Sequence, residues 1–329
     1  NLSFPHVENK ALVGFHSWNS RCRISLFATY LSGLPSLLFL PWYLYRAENE
    51  NLRRGIKLRL DQFVLCCGDG KHIQKQLQKI APKSLTHMNN TSVYCSLFTI
   101  AAKNLGVPTI FVPHAAIGRY QAPLFVDYAL LEGNVQIRQF PQSETKILLV
   151  GASRLKALRD SAKENVREAL LFCTNYAMRE QAIERACQQI RKQFPSQLVG
   201  LRPHPAERRI SFHEHLCRAY DLEYVNPEFP IHEFSGAFSE ILTTESGVVL
   251  DAAMCGMAPF IFESITMHDF FRFTELHIAK EVDLGKLDLD SEFVRETDFP
   301  ARLAAFDSSV LTGRDPAKEI AKFYAQLSS

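Results

Sequence analysis

The stretch Leu242–Phe262, LTTESGVVLDAAMCGMAPFIF, reads as strand, turn, helix and strand within twenty-one residues. An apolar run closes at Glu240–Thr243, and Ser246 is a residue type that caps helices. Val248, Val249, Ala252 and Ala253 then give the helix one buried face before Gly256 ends it. A helix opening at Ser246 and Gly247 would turn unpaired backbone N–H groups towards a phosphate. The same unit is also ordinary packing in any α/β protein, so the stretch decides the fold class before it decides a function.

The flanking sequence repeats this grammar. Buried strands are expected at Phe63–Cys67, Val107–His114, Tyr128–Leu131 and Ile147–Val150, with Gly68-Asp69-Gly70 as a turn and helices over Ile73–Ile80 and from Asn90-Thr91 to Gly106. A second series follows: a strand at Leu170–Cys173, a helix from Asn175 with Met178, Ala182, Ala186 and Ile190 on one face, and a strand at Leu198–Leu201 running into Arg202-Pro203-His204-Pro205. Asp315-Pro316 opens a terminal helix with Ile320, Phe323, Tyr324 and Leu327 as its stripe. The expected architecture is α/β, with two Rossmann-like domains facing across a cleft (1–155 on the acceptor side, 156–329 for the nucleotide) and the last helix packing back on the first domain. A hinge is expected between Val150 and Glu168.

Composition narrows the class. The 329 residues are 47% hydrophobic and 22% charged, as a folded globular chain requires. Lys plus Arg number 37 against 35 acids, a formal net charge of +2, so no overall basicity calls for nucleic acid. Eight scattered cysteines without a Cys-x-x-Cys pair read as reduced thiols of a cytoplasmic protein. Ile24–Tyr45 is free of charge but broken by Gly33, Pro35 and Pro41, with aromatic residues at one end and Arg46, Arg53, Arg54, Lys57 and Arg59 beyond it. A broken hydrophobic hairpin lying on a membrane surface or against the protein is expected, with a buried core segment as its equal alternative and a true span behind both.

Several polar residues are candidates for chemistry. His204, held between two prolines with Arg202, Arg208 and Arg209 near it, could bind a phosphate and donate a proton to a departing nucleotide, or could simply cap neighbouring carbonyls. His114, followed by Ala115, Ala116 and Gly118, could accept a proton from a hydroxyl. Asp69 is the competing base, although Gly-Asp-Gly is also an ordinary turn. His213-x-His215 lacks the further ligands of a metal site and reads as solvated surface, and no other spacing implies a metal. There is no Walker-type loop and no serine elbow.

Taken together, Val112–Gly133 (VPHAAIGRYQAPLFVDYALLEG), Ile147–Asp160 (ILLVGASRLKALRD), LRPHP (Leu201–Pro205) and TTESGVVLDAAMCGMAPF resemble the GT-B glycosyltransferases, in the order found in bacterial capsule and teichoic-acid polymerases. That resemblance implies a base at His114. A second resemblance, to His-Pro-motif sialyltransferases of GT-B fold, implies that His204 and Pro205 meet a cytidine monophosphate. It also implies that Thr243, Thr244 and Ser246, with Gly247, hold phosphate; Gly68-Asp69-Gly70 matches that family's acidic motif only in its last two residues. Asp251 would bind ribose hydroxyls, the arginines (Arg202, Arg208 and Arg209), His204 and the Ser246 helix would neutralise phosphate without a metal, and no cofactor beyond the nucleotide-activated sugar would be needed. A like turn occurs in UDP-sugar 2-epimerases. The implied function is a metal-independent glycosyltransferase of surface polysaccharide synthesis using a CMP-activated ulosonic or sialic-acid-like sugar and a glycan or lipid-linked acceptor, peripheral at the inner face of the membrane. A CDP-polyol phosphotransferase and a non-catalytic glycan-assembly partner are the alternatives.

Overall fold

A computed structural model describes residues 26–47, 50–58, 60–90, 92–113, 116–119, 121–141, 143–162, 169–263 and 269–328. His114, Cys22, Arg59 and Thr91 therefore lie outside the described residues. The elements run α1 (Leu26–Gly33), α2 (Leu40–Arg46), α3 (Glu50–Leu58), α4 (Leu60–Ile80), β1 (Leu85–His87), α5 (Val93–Asn104), β2 (Thr109–Phe111), β3 (Tyr128–Leu131), α6 (Asn134–Gln139), β4 (Lys146–Leu149) and α7 (Ser153–Asp160). They continue as β5 (Leu170–Cys173), α8 (Glu180–Gln193), β6 (Val199–Arg202), α9 (Ile210–Ala219), β7 (Glu223–Tyr224), β8 (Glu240–Thr244), α10 (Val248–Met254), β9 (Ala258–Glu263), β10 (Lys280–Glu281), α11 (Phe299–Ala304), α12 (Ser309–Thr312) and α13 (Pro316–Ser328).

Two sheets organise the chain. The first has the order β1-β2-β3-β4, with β1/β2 and β2/β3 parallel. The second has the order β10-β9-β8-β5-β6-β7 and is parallel throughout. The fold is thus α/β with two parallel sheets. Two compact units emerge: one comprises 1–112, 124–129 and 144–146, the other 113–123, 130–143 and 147–329.

In the first unit the structure corrects the sequence reading. Phe63–Cys67 is not a strand, and Gly68-Asp69-Gly70 is not a turn; both lie inside the long helix α4. Its buried residues Val64, Gly68, Asp69, Ile73 and Leu77 recur at helical, not strand, spacing. Gly68 is there for space: a Cβ on it would stand 1.9 Å from the carbonyl oxygen of Thr29 in α1, so the two backbones touch. The Asp69 carboxylate accepts the Thr29 hydroxyl at 3.1 Å and is buried. Helix α5 follows as expected, but Ser92 stands at its N-cap, its N–H bonded to Asn89 Oδ1.

In the second unit the core is built on β5, whose four residues are almost wholly buried. Below it lie Ile183, Ala186, Cys187 and Ile190 of α8. Asp315 caps α13, accepting the Ala317 N–H at 3.0 Å, and α13 packs on α7. A polar knot joins β3, α7 and the α11–α12 junction. Glu132, buried directly after β3, exchanges two hydrogen bonds with Gln136, and its carbonyl receives the Ser308 N–H. Asp307 Oδ1 accepts the N–H groups of Ala152 and Ser309. Burial pushes the Glu132 carboxyl up to about 7, against the pull of Arg154 and of the Gln136 bond.

The α4 assignment makes opposite predictions for two glycines two residues apart. Gly68→Ala should destabilise the first unit by about 1–3 kcal/mol through overpacking. Gly70→Ala, whose Cβ would meet, among the described residues, only Leu97 Cδ2 at 3.7 Å, should stabilise it by about 0.5–1 kcal/mol through helix propensity. Urea unfolding of both variants checks this, and similar losses from both would restore the turn. For Glu132 the folded value lies above the ordinary 4.5, so its contribution is fully present below that value and lost as the pH rises through about 7. Glu132→Gln should therefore exceed the wild type in stability near pH 8 by an amount on the order of 2–3 kcal/mol, the gap closing near pH 4.

Candidate functional site

The six-stranded sheet carries the motifs. In chain order β5, β6 and β7 run out to one side, and β8, β9 and β10 then start again on the other side of β5. Such a reversal leaves a crevice at the carboxyl ends of the two strands at the switch, where open α/β sheets hold ligands. Register makes this concrete: Arg202, Cys173 and Thr243 stand in one row across β6, β5 and β8. The chain leaves that row as Pro203-His204, Thr174-Asn175-Tyr176 and, one residue later, Glu245-Ser246-Gly247. The β6 and β8 ends are two strand spacings apart, about 10 Å, a distance suited to a phosphate and the group attached to it.

His204 has a defined role for each ring nitrogen. Nδ1 accepts the Ala206 N–H at 3.0 Å, so the ring proton sits on Nε2, which is left as a donor. The Tyr176 ring lies 5.1 Å from it and is exposed. Burial, and then the Arg202 charge, hold the imidazole below its ordinary value against the pull of Glu207. The imidazole read from sequence as a proton donor to a departing nucleotide is thus biased towards neutrality.

The arginines around His204 do not converge on one point. Arg202 is buried and donates to the carbonyls of Pro227 and Phe229 at 3.1 and 3.0 Å. Arg209 is bound to Glu207 through two nitrogens and to the Met178 carbonyl, which holds Glu207 at about 2. Arg208 is exposed. His213, expected at the surface with His215, is fully buried, with its nitrogens against the Arg209 carbonyl and the Thr174 hydroxyl.

On the β8 side, Thr243 and Thr244 are buried, and the Thr244 hydroxyl has no partner among the described residues. Gly247, not Ser246, is the N-cap of α10, and the Ser246 carbonyl takes the Val249 N–H. A Cβ at Gly247 would meet nothing within 4 Å among the described residues, which leave the space before this turn open. Asp251, one turn further on, is ion-paired with Arg154. Among the described residues no group of three or more His, Cys, Asp or Glu side chains could hold a metal ion, and no helix is long and apolar enough to cross a membrane. The seven described cysteines are free.

Two features escaped the sequence reading. The first is Tyr176, whose only signal is its place just after a buried strand. The second is a tether through one peptide group. The Arg119 N–H donates to the Phe270 carbonyl at 2.8 Å, and the Phe271 N–H of that same amide donates to Glu245 Oε1 at 2.6 Å. Gly118 lies so close to the Phe270 ring that a Cβ would stand 1.9 Å from it, and the Arg119 guanidinium bonds Glu275. Gly118 and Arg119, four and five residues after His114 in the sequence, are thereby fastened to the segment that braces the Ser246 turn.

No protein-family profile and no curated protein matches the sequence. Solved structures do match. S. aureus MnaA, in a co-structure with UDP, aligns with a TM-score of 0.52 at 13% identity over 80% of this chain and 79% of that one. The UDP-GlcNAc 2-epimerase of Neisseria meningitidis, solved bound to UDP-GlcNAc, aligns with a TM-score of 0.51 at 11% identity over 80% and 81%. At such identities the likeness is one of fold, and with the two parallel sheets it shows that the chain has a GT-B-type fold.

Proposed function

We propose that this chain is a glycosyltransferase of bacterial surface polysaccharide synthesis, taking a sugar from a nucleotide-activated donor to a glycan or lipid-linked acceptor at the cytoplasmic face of the membrane. The observation that carries the reading is His204: its Nδ1 is committed to Ala206, its Nε2–H is left to donate, and the open Ser246–Gly247 turn stands two strands away. A phosphate bridging these ends would receive a neutral hydrogen bond from His204 and the hydroxyl of Ser246, while Tyr176 would offer its exposed ring to the base or sugar. Asp251 would reach ribose hydroxyls by exchanging its bond to Arg154, and no metal would be required. The proton acceptor is assigned to His114, since Asp69 lies mid-helix and holds Thr29. The resulting hydroxyl attack would pass through an oxocarbenium-like transition state in which charge on the departing nucleotide is met at His204.

The His-Pro resemblance favours a CMP-linked ulosonic donor, with a CDP-linked polyol phosphate as the rival. The two aligned structures hold UDP and UDP-GlcNAc, which supports a second reading as a UDP-sugar 2-epimerase. Nucleotide release from CMP-, CDP- and UDP-linked donors separates these. Cytidine release supports the first reading, whereas a UDP-sugar epimerised without acceptor supports the second and removes the first. No binding of any nucleotide leaves a non-catalytic assembly partner. His204→Ala should lower turnover by about 10²–10⁴-fold, and unchanged turnover would remove His204 from the mechanism. Because the contact is a neutral donor, calorimetric affinity for the preferred nucleotide should hold as the pH rises through about 6.5, where a contact needing imidazolium would fade.

A further inference from the structure

Helix α1 is built inside out. Its buried positions, continued into the short 3-10 turn that follows, are Thr29, Gly33 and Ser36, small or polar residues spaced along one helical stripe. Against them lies α4, so close that a Cβ on Gly33 would stand 2.0 Å from the Val64 carbonyl oxygen. Thr29 donates to Asp69, and Lys71 Nζ reaches the Ser32 carbonyl at 2.9 Å. The opposite side carries the large apolar residues: Phe27 is 74% exposed, Leu31 51%, Leu38 81%, Phe39 61%, Trp42 54% and Tyr45 81%. A helix on a water-facing surface shows the reverse arrangement, and a continuous face of this size is more than a soluble monomer leaves in water. Small residues at the helix contact with apolar side chains outside is the arrangement that suits hydrocarbon as the solvent.

Charge says which apolar phase. The apolar face ends in a cationic border: the Arg46 guanidinium lies over Trp42 at 5.5 Å, Arg53 Nε bonds the Leu44 carbonyl, and Arg54 and Lys57 are exposed on α3. Aromatic rings followed by cations match the order from acyl chains to anionic headgroups. We propose that α1, the 3-10 turn and α2 enter one leaflet of an anionic bilayer as a wedge, with Thr29, Gly33 and Ser36 turned inward on α4 and Arg46, Arg53, Arg54 and Lys57 at the headgroups. The wedge stands independently of the donor assignment.

Flotation of the full chain with phosphatidylcholine vesicles, with and without phosphatidylglycerol, tests it. The wild type should float with the anionic vesicles, and Leu38→Glu with Phe39→Glu should cut the bound fraction by more than about tenfold. Those two side chains are exposed, so the fold is retained and far-ultraviolet circular dichroism will confirm it. Arg54→Ser with Lys57→Ser should weaken binding to the anionic vesicles about tenfold or more, with a reduced salt dependence. Equal binding to both vesicle types overturns the headgroup assignment. Failure to float, unaltered flotation of the Leu38/Phe39 variant, or a lipid-free dimer dispersed by those substitutions overturns the wedge itself.

Discussion

The donor site proposed for this protein hangs on the hydrogen-bond ladder of β5. Leu170, Leu171, Phe172 and Cys173 are paired residue by residue with β6 on one side and β8 on the other, all in the same direction. A parallel ladder sends every strand's carboxyl end to one edge. Because β5 is also where the chain order reverses, the loops with histidine, tyrosine and serine are neighbours by necessity, whatever their distance in sequence. Four buried side chains and their two ladders thus set the geometry of a site to which they contribute no functional group.

The electrostatic character of that edge differs from a simple positive bowl. Counting arginines near His204 suggests a strong anion trap, yet two of the three are committed, Arg202 to backbone carbonyls and Arg209 to Glu207. A guanidinium held by a carboxylate presents little net charge to a ligand, and a buried one bound to carbonyls presents little accessible surface. What remains are the exposed Arg208 and directional donors of modest charge, an Nε2–H and a hydroxyl. As the proposed donor site, such an edge would favour recognition by geometry and would hold an anionic product less tightly than an unpaired arginine cluster.

Legibility in the sequence followed the range of the forces involved. β3 and β5 could be read residue for residue because a strand buried on both faces leaves an unbroken apolar run. Asp315-Pro316 and the TTESG turn were equally plain, being local chemistry. The failures came where a distant partner overrode a local signal. Phe63–Cys67 looks like a strand and Gly68 like a turn, but the glycine answers to a backbone thirty-nine residues earlier. Residue types at the site were visible; what each guanidinium or carboxylate was bound to was not, and the bond from Glu245 to Phe271 spans 26 residues with no pattern to announce it.

The amide between Phe270 and Phe271 carries a consequence for how this chain can change. One planar group receives a hydrogen bond from the loop after His114 and gives one to the acid before Ser246. Rotating that plane to suit one neighbour breaks the other, so neither loop has a spelling of its own. A graft or insertion that retunes either loop would have to bring residues 269–275 with it, so three separate parts of the sequence act as one structural unit.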